Sequence, residues 1–168
     1  MRASNFTLPS TNENDYSLKN SIGKYVVLYF YPKDDTPGCT IETNDFNKLL
    51  PKFRNLDCEI YGISKDSLKS HDKFSNKYKI KFNLLADEEI IVLKKYRVWG
   101  KKKFMGREFM GIIRTTFLID KKGKIIKIWK TLKILNIHSK SKLINKHLIT
   151  LRMKGHHNVS SIRSRNEK

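Results

Sequence analysis

Two periodicities of apolar residues alternate along the chain, and the sharpest change between them lies near residue 40. Residues 25–30 form an uninterrupted apolar run, rich in β-branched and aromatic side chains, which predicts a buried strand. From residue 40 to about 53 the apolar positions recur at helical spacing, and Pro51 lies near the predicted helix end. A turn containing two prolines and a glycine separates the two segments. The pattern therefore predicts a strand, a turn and a helix in succession.

The rest of the chain continues this alternation. Short strands are predicted at residues 6–9, 16–18 and 82–85, longer ones at 58–64, 112–120 and 124–129, and helices at about 67–79, 88–96 and 139–151. Residues 100–108 are predicted to form a basic loop, and Gly123 offers the positive φ of a hairpin turn. Alternating strands and helices followed by a hairpin and a closing helix predict the α/β class, with a central mixed β-sheet flanked by helices.

The composition is typical of one soluble globular domain, since 39% of the 168 residues are hydrophobic and 30% are charged. We predict a domain over residues 1–151 and a basic, disordered C-terminal tail over residues 152–168. No apolar run approaches the roughly 18 residues of a membrane span, and the N-terminus lacks a signal-peptide pattern. The two cysteines form neither a disulfide framework nor a zinc pattern, so a reducing, cytoplasmic location is predicted.

The net charge of +19 is distributed unevenly, with +6 on residues 1–120 and +13 on residues 121–168. Such asymmetry can indicate binding to nucleic acid or to an anionic surface. It also fits a soluble, lysine-rich surface with a basic tail. We favour the second interpretation because no aromatic stacking platform or nucleic-acid-binding module accompanies the charge.

Cys39 follows the Pro-Gly turn and is predicted to lie at the first turn of the helix. Amide groups at a helix N-terminus lack intrahelical partners and carry partial positive charge, which favours a thiolate over a thiol. Cysteines in such positions can have a pKa of roughly 3.5–7.5 instead of about 8.5. We therefore predict that Cys39 is a reactive thiolate. The alternative is an inert cysteine that packs as a small apolar side chain.

The residues around Cys39 resemble a known family. The pattern Pro32-x-x-x-Thr36-x-x-Cys39 resembles the peroxidatic signature of peroxiredoxins, and residues 31–40 with Glu42 resemble the bacterioferritin co-migratory protein (PrxQ) subfamily. Further similar segments are residues 62–67, 84–87, 96–100 and 114–120, so that the resemblance covers about residues 3–135. It implies a thioredoxin-like fold and an antioxidant thiol-dependent peroxidase for hydrogen peroxide and organic hydroperoxides, with no cofactor.

The resemblance also implies the roles of five residues. Cys39 would attack the peroxide O–O bond and become a sulfenic acid, and Arg114 would hydrogen-bond the peroxide and the sulfur. Thr36 would contact the peroxide with its hydroxyl, Pro32 would shield the pocket from water, and Glu42 would orient Arg114. Simpler alternatives are a strand-surface Arg114, turn chemistry at Thr36, a strand end at Pro32 and a favourable first-turn acid at Glu42.

The second thiol departs from the pattern of the subfamily. Many PrxQ proteins have a resolving cysteine five residues after the peroxidatic one, a position occupied here by Asn44. Cys58 is the other thiol, and it begins a predicted core strand, which favours a structural role. We therefore predict a one-Cys cycle in which an external thiol reduces the sulfenic acid. The resemblance implies thioredoxin, glutaredoxin or glutathione as the reductant and a monomeric enzyme.

Two other functions compete with peroxide reduction. A thiol–disulfide oxidoreductase of the same fold would need a Cys-x-x-Cys motif, which is absent. A basic nucleic-acid- or membrane-binding protein with weakened peroxidase activity is the stronger alternative, because the resolving cysteine is missing at Asn44. No metal site is predicted, since no acid or thiol accompanies His71 or the other histidines at ligand spacing.

Overall fold

The computed structural model describes residues 1–12, 14–130 and 137–163 of the chain. Its strands are β1 (Thr7–Leu8), β2 (Tyr16–Ser17), β3 (Tyr25–Phe30), β4 (Cys58–Ser64), β5 (Asn83–Ala86), β6 (Trp99–Phe104), β7 (Arg107–Ile112), β8 (Thr115–Ile119) and β9 (Ile125–Lys130). Its α-helices are α1 (Pro37–Arg54), α2 (Leu68–Tyr78), α3 (Ile91–Lys95) and α4 (Ile137–Arg163). No helix in these ranges is long and apolar enough to cross a membrane.

A five-stranded sheet in the order β5-β4-β3-β8-β9 forms the centre of the fold. β3 pairs in parallel with β4 and antiparallel with β8, so the sheet is mixed, as the sequence predicts. In these two ladders Tyr25 lies opposite Cys58, and Phe30 lies opposite Thr115. Both faces of a central strand must be covered, which explains why the run at residues 25–30 is apolar throughout.

Alternate side chains of β3 belong to two separate apolar clusters. Val26, Leu28 and Phe30 pack on the face covered by α3 and by the pair β1–β2. Val27 and Tyr29 pack on the opposite face with apolar residues of α1, α2 and α4. The predicted sheet with helices on both faces is therefore confirmed.

The predicted basic loop at residues 100–108 is wrong, because this segment belongs to the two-stranded sheet of β6 and β7. Its turn has positive φ at both central residues, Met105 (49°) and Gly106 (76°), as tight hairpins of type I′ require. Most side chains of the hairpin are exposed, and four of them are large and apolar: Phe104, Met105, Phe109 and Met110. The apolar alternation that signals a half-buried strand is therefore missing, and backbone pairing forms the ladder.

The bounds of several elements also differ from the predictions, most clearly in three places. The predicted strand 112–120 is divided, because β7 ends at Ile112 and β8 begins at Thr115. The predicted helix 88–96 is shorter, since α3 starts at Ile91, whose amide donates to the carboxylate of Asp87. The predicted helix 139–151 is longer, since the α4 backbone continues to Arg163 through much of the predicted tail. Residues 164–168 of that tail lie outside the described residues, and the predicted domain boundary remains a prediction.

Candidate active site

The N-terminus of α1 lies directly after the central strand and holds Cys39. Thr36 is the N-cap and Pro37 the first helical residue, so the helix begins three residues earlier than the predicted start at residue 40. Proline suits this position because it has no amide hydrogen to leave unpaired and its φ is helical. Cys39 is buried in the first turn, and the first intrahelical hydrogen bond runs from the Thr40 amide to the Thr36 carbonyl over 2.9 Å. The predicted placement of Cys39 inside the first helical turn is confirmed.

Arg114 reaches Cys39 from the neighbouring strand. It immediately precedes β8, and the antiparallel register places Thr115 opposite Phe30 at the end of β3 that leads into the Cys39 loop. Its Nη2 donates a hydrogen bond to Cys39 Sγ over 3.1 Å, although 75 positions separate the two residues. Burial would lower the pKa of Arg114, but the charges of Glu42 and Cys39 outweigh burial and raise it. The guanidinium is therefore a permanent cation beside the sulfur.

Glu42 lies one turn along α1 from Cys39 and is almost completely buried. One carboxylate oxygen, Oε2, accepts a hydrogen bond from Arg114 Nη1. The other, Oε1, forms an ion pair with Lys140 Nζ of α4 at a distance of 2.5 Å. Burial lowers the pKa of Lys140, and the Glu42 carboxylate opposes that effect. Glu42 thus connects the arginine beside the sulfur to a second buried cation.

The loop between β3 and α1 contains Pro32 and Thr36, both half-buried. The Thr36 hydroxyl donates to the Lys33 carbonyl over 2.8 Å, and it does not cap the helix. This hydrogen bond leaves the hydroxyl oxygen able to accept another. The structure thus brings Cys39, Arg114 and Glu42 into direct contact, and it places Pro32 and Thr36 in the adjoining loop.

A buried acid–histidine pair anchors this loop. His71 Nδ1 lies 2.7 Å from Asp34 Oδ2, and His71 Nε2 lies 3.0 Å from the Leu85 carbonyl, which can only accept. Tyr31 donates to the other Asp34 oxygen over 2.6 Å, and the Asp34 amide donates to Asp66. The expectation that no acid accompanies His71 is therefore wrong, because the fold brings side-chain oxygens of Asp34 and Asp66 within 4.8 Å of the His71 ring. Because these groups already bond one another, we interpret the cluster as a structural anchor for the loop.

The chain is similar to known proteins over most of its length. The model of the AhpC/TSA family matches residues 1–128. Peroxiredoxin Bcp of Bacillus subtilis is 45% identical over 133 residues, which are 79% of this chain and 85% of that protein. The chain belongs to the peroxiredoxin family. Within that family it belongs to the Bcp/PrxQ subfamily, and it is accordingly a thiol peroxidase.

Solved structures show the same relationship for this peroxiredoxin. The bacterioferritin comigratory protein of Xanthomonas campestris, studied for its alkyl peroxide reduction activity, superposes with a TM-score of 0.79 at 34% identity, covering 86% of this chain and 90% of that chain. PrxQ of Xylella fastidiosa superposes with a TM-score of 0.84 at 31% identity, covering 90% and 95% respectively. These similarities confirm the expected thioredoxin-like fold.

The second thiol of this peroxiredoxin lies at the far end of the sheet from Cys39. Cys58 is paired with Tyr25 at the start of β3, whereas Arg114 and Cys39 lie beyond Phe30 at its end. A strand of this length spans roughly 16 Å, well above the roughly 7 Å that a disulfide allows between Cα atoms. Burial raises the pKa of the Cys58 thiol far above its ordinary value. The folded structure therefore keeps the two thiols apart, and Cys58 is a poor nucleophile.

Two lysines that lie near the site were not predicted from the sequence to belong to it. Lys140 could have been found, because it occupies the same helical stripe as the buried Ile144 and Leu148, four and eight residues later. Lys102 could not, because it lies in the segment predicted to be a loop; its Nζ donates to the Ile112 carbonyl over 2.9 Å. Burial lowers the pKa of Lys102, the charge of Arg114 adds to this effect, and the charge of Cys39 opposes it.

Proposed function

We propose that the chain is a one-Cys peroxiredoxin in which the Cys39 thiolate reduces hydrogen peroxide and organic hydroperoxides. The sulfur attacks the terminal peroxide oxygen, an S–O bond forms, and the O–O bond breaks. The leaving oxygen takes a proton and departs as water or an alcohol, and Cys39 becomes a sulfenic acid. The observation that carries the proposal is the hydrogen bond from Arg114 Nη2 to Sγ, made at the N-terminus of a helix.

Arg114 is proposed to act on both the sulfur and the peroxide. Negative charge spreads over the sulfur and both oxygens in the transition state, and a fixed donor in a buried site stabilises such charge. Glu42 holds the guanidinium in this orientation through its contact with Nη1. Because two different nitrogens make these two contacts, the guanidinium can be held by Glu42 while it faces the sulfur.

Thr36 and Pro32 are proposed to complete the pocket from the loop. The Thr36 hydroxyl has a lone pair free to accept a hydrogen bond from the peroxide, because its proton is directed to the Lys33 carbonyl. Pro32 limits the access of water to the sulfur at the end of β3. The hydrogen bonds of Asp34 to His71, Tyr31 and Asp66 support this role by fixing the loop.

The cycle is proposed to close with an external thiol. Asn44 occupies the position of the usual resolving cysteine, and Cys58 lies buried at the opposite end of the sheet. Thioredoxin, glutaredoxin or glutathione would therefore reduce the sulfenic acid by forming a mixed disulfide with Cys39. We also propose that the enzyme is monomeric and lies in the cytoplasm. Support for organic hydroperoxides comes from the alkyl peroxide reduction activity of the Xanthomonas campestris relative.

The test is rapid mixing of reduced wild type, Cys39→Ser and Cys58→Ser with hydrogen peroxide or an organic hydroperoxide. Sulfenic acid is trapped with dimedone, and turnover is followed separately with each of the three reductants. We expect no reaction of Cys39→Ser, whereas Cys58→Ser should match the wild type in its first turnover and in most of its recycling. A Cys58→Ser variant that forms sulfenic acid but cannot be recycled would show that the one-Cys assignment is wrong.

The basic-protein alternative has its own test. If nucleic-acid binding is the main function, retention on nucleic acid should fall steeply with salt and disappear when residues 136–168 are removed. Fast peroxide turnover without such retention would dismiss it. The charge of +13 on residues 121–168 is the observation that motivates the comparison.

A further inference from the structure

Lys140 is a cation buried in a helix–helix interface. Its side chain is 4% exposed, and its Nζ lies 2.5 Å from Oε1 of Glu42, whose side chain is 1% exposed. The two residues belong to α4 and α1, the helices that pack together on one face of the sheet. We propose that Lys140 is a positioning residue for peroxide reduction: it balances the Glu42 charge and so leaves Arg114 available to the sulfur of Cys39.

The first argument is the charge of the group. In the described part of the chain, Glu42 is the carboxylate in contact with Arg114, and it is paired with Lys140 on its other oxygen. With Lys140 present, Glu42 is balanced by Lys140, and the charges of Arg114 and of Lys102 on the hairpin side remain for an ionised Cys39. Without it, Glu42 would neutralise Arg114, and an ionised Cys39 would be left with Lys102, whose Nζ is already hydrogen-bonded to the Ile112 carbonyl. Ionisation of the sulfur would then be disfavoured.

The second argument concerns the cost of burying a lysine at this position. Ile144 and Leu148 continue the stripe of Lys140 along α4, and both pack in the apolar cluster against α1. An apolar residue at position 140 would extend that packing without any charge to desolvate. Buried ion pairs are often no more stabilising than apolar residues of similar size. Stability of the α1–α4 interface therefore does not account for the charge, whereas the chemistry at Cys39 does.

The third argument is that other cations do not replace Lys140. Lys102 faces Cys39 and Arg114 from β6, on the hairpin side, and its hydrogen bond goes to the Ile112 carbonyl. Arg114 itself is shared between Glu42 and the sulfur. Within the described residues, Lys140 is thus the cation that contacts Oε1 of Glu42.

The inference rests on the proposed role of Cys39, and it is tested with Lys140→Met, Lys140→Arg and a matched control, Lys142→Met. Lys142 lies on the same helix but is exposed, so its replacement removes the same net charge away from the site. The readout is the rate of alkylation of Cys39 by iodoacetamide between pH 5.5 and 9.5, measured in the Cys58→Ser background. The same proteins are assayed for the single-turnover rate with hydrogen peroxide at pH 7.

We expect the pH profile of Cys39 alkylation in Lys140→Met to lie about one unit to higher pH than in its parent, as removal of one nearby charge at an effective dielectric constant of about 20 predicts. At pH 9.5, where both proteins are ionised, the rates should agree within about twofold. Lys140→Arg and Lys142→Met should stay close to the parent throughout. A purely structural role of Lys140 would leave the pH profile of Lys140→Met unchanged, and that result would overturn the inference.

The double variant Glu42→Gln/Lys140→Met guards against misfolding of the single variant. It removes both members of the pair and restores the charge balance around the sulfur. We expect the pH profile of its alkylation to move back toward that of the parent, while its peroxide rate stays low because Glu42 no longer holds Arg114. A double variant as slow as Lys140→Met would contradict the charge-balance argument. If the parent itself shows no reactive Cys39, the proposed function fails, whereas a reactive parent with an unaffected Lys140→Met refutes this inference alone.

Discussion

Replacing Arg114 by methionine removes the contact on which the catalytic proposal depends. Methionine keeps much of the side-chain length but cannot donate to Cys39 Sγ, which Arg114 Nη2 contacts at 3.1 Å. Hydrogen bonds to charged groups contribute about 1.5–3 kcal/mol, and Arg114 is well shielded from solvent, with its side chain 12% exposed. We therefore expect the acid ionisation constant of Cys39 to fall roughly 10- to 150-fold.

The peroxide step should suffer an additional loss. Removing one donor from a site that stabilises developing negative charge typically lowers the rate by about 10²–10³. The two contributions can be separated by pH, because at pH 9.5 the thiolate forms without help and the remaining deficit reports transition-state stabilisation. Absorbance of the thiolate at 240 nm measures the first contribution, and rapid-quench single turnovers with hydrogen peroxide measure the second.

Arg114→Lys is the informative control for this prediction. It keeps the positive charge, but a single ammonium cannot reproduce the fork that contacts Glu42 with one nitrogen and the sulfur with another. We expect it to retain most of the thiolate and to lose most of the peroxide rate. If Arg114→Met reduced peroxide at pH 7 within about threefold of the wild type, the proposed role of the guanidinium would be refuted.

Three further variants test other parts of the structure. Asn44→Cys should form a disulfide with Cys39 after peroxide treatment, seen by mass spectrometry of a non-reduced digest. Hydrogen exchange should show the first turns of α1 opening, because residues five apart in a helix have Cα atoms about 8.6 Å apart, beyond disulfide reach. Gly62→Ala should lose about 1–3 kcal/mol in urea denaturation, because a Cβ would lie 2.6 Å from the ring of buried Tyr29. Burial raises the pKa of the Cys58 thiol, so between pH 8 and pH 10 this thiol ionises only in the unfolded wild type, whose free energy of unfolding therefore falls. Cys58→Ala lacks the thiol, and over the same pH range its free energy of unfolding should fall by about 2 kcal/mol less.

Each of these variants has a control and an outcome that would count against it. An Asn44→Cys protein that stays a stable sulfenic acid would mean that α1 does not open on oxidation. Gly155→Ala, in α4, has nothing within 4 Å of the added Cβ and should be at least as stable as the wild type. Equal destabilisation of both glycine variants would refute the close-approach argument. Parallel pH curves for the wild type and Cys58→Ala would show that the Cys58 thiol is not held neutral by the fold.

Local pattern alone determined the elements that hold Cys39. β3 and β4 have the predicted bounds, residues 25–30 and 58–64. The run in β3 is apolar throughout, and β4 is a short, mainly apolar segment that ends at a turn. The N-terminus of α1 was predictable to within a few residues from its turn and its helical spacing. These signals depend only on neighbouring residues, so one sequence is sufficient to find them. The hairpin at residues 99–112 was missed because backbone pairing, without apolar alternation, forms it.

Only the tertiary structure decided which side chains meet the sulfur. Arg114 was assigned to the site by family resemblance, and its contact with Cys39 exists because β8 pairs antiparallel with β3 in one register. Lys140 reaches Glu42 because α4 packs on α1, and His71 reaches Asp34 because α2 lies over the loop. These partners are far apart in the chain, and the energy that joins them comes from burial of the sheet faces between them. The chain therefore encodes its nucleophile locally, while the charges that serve it are brought together by packing.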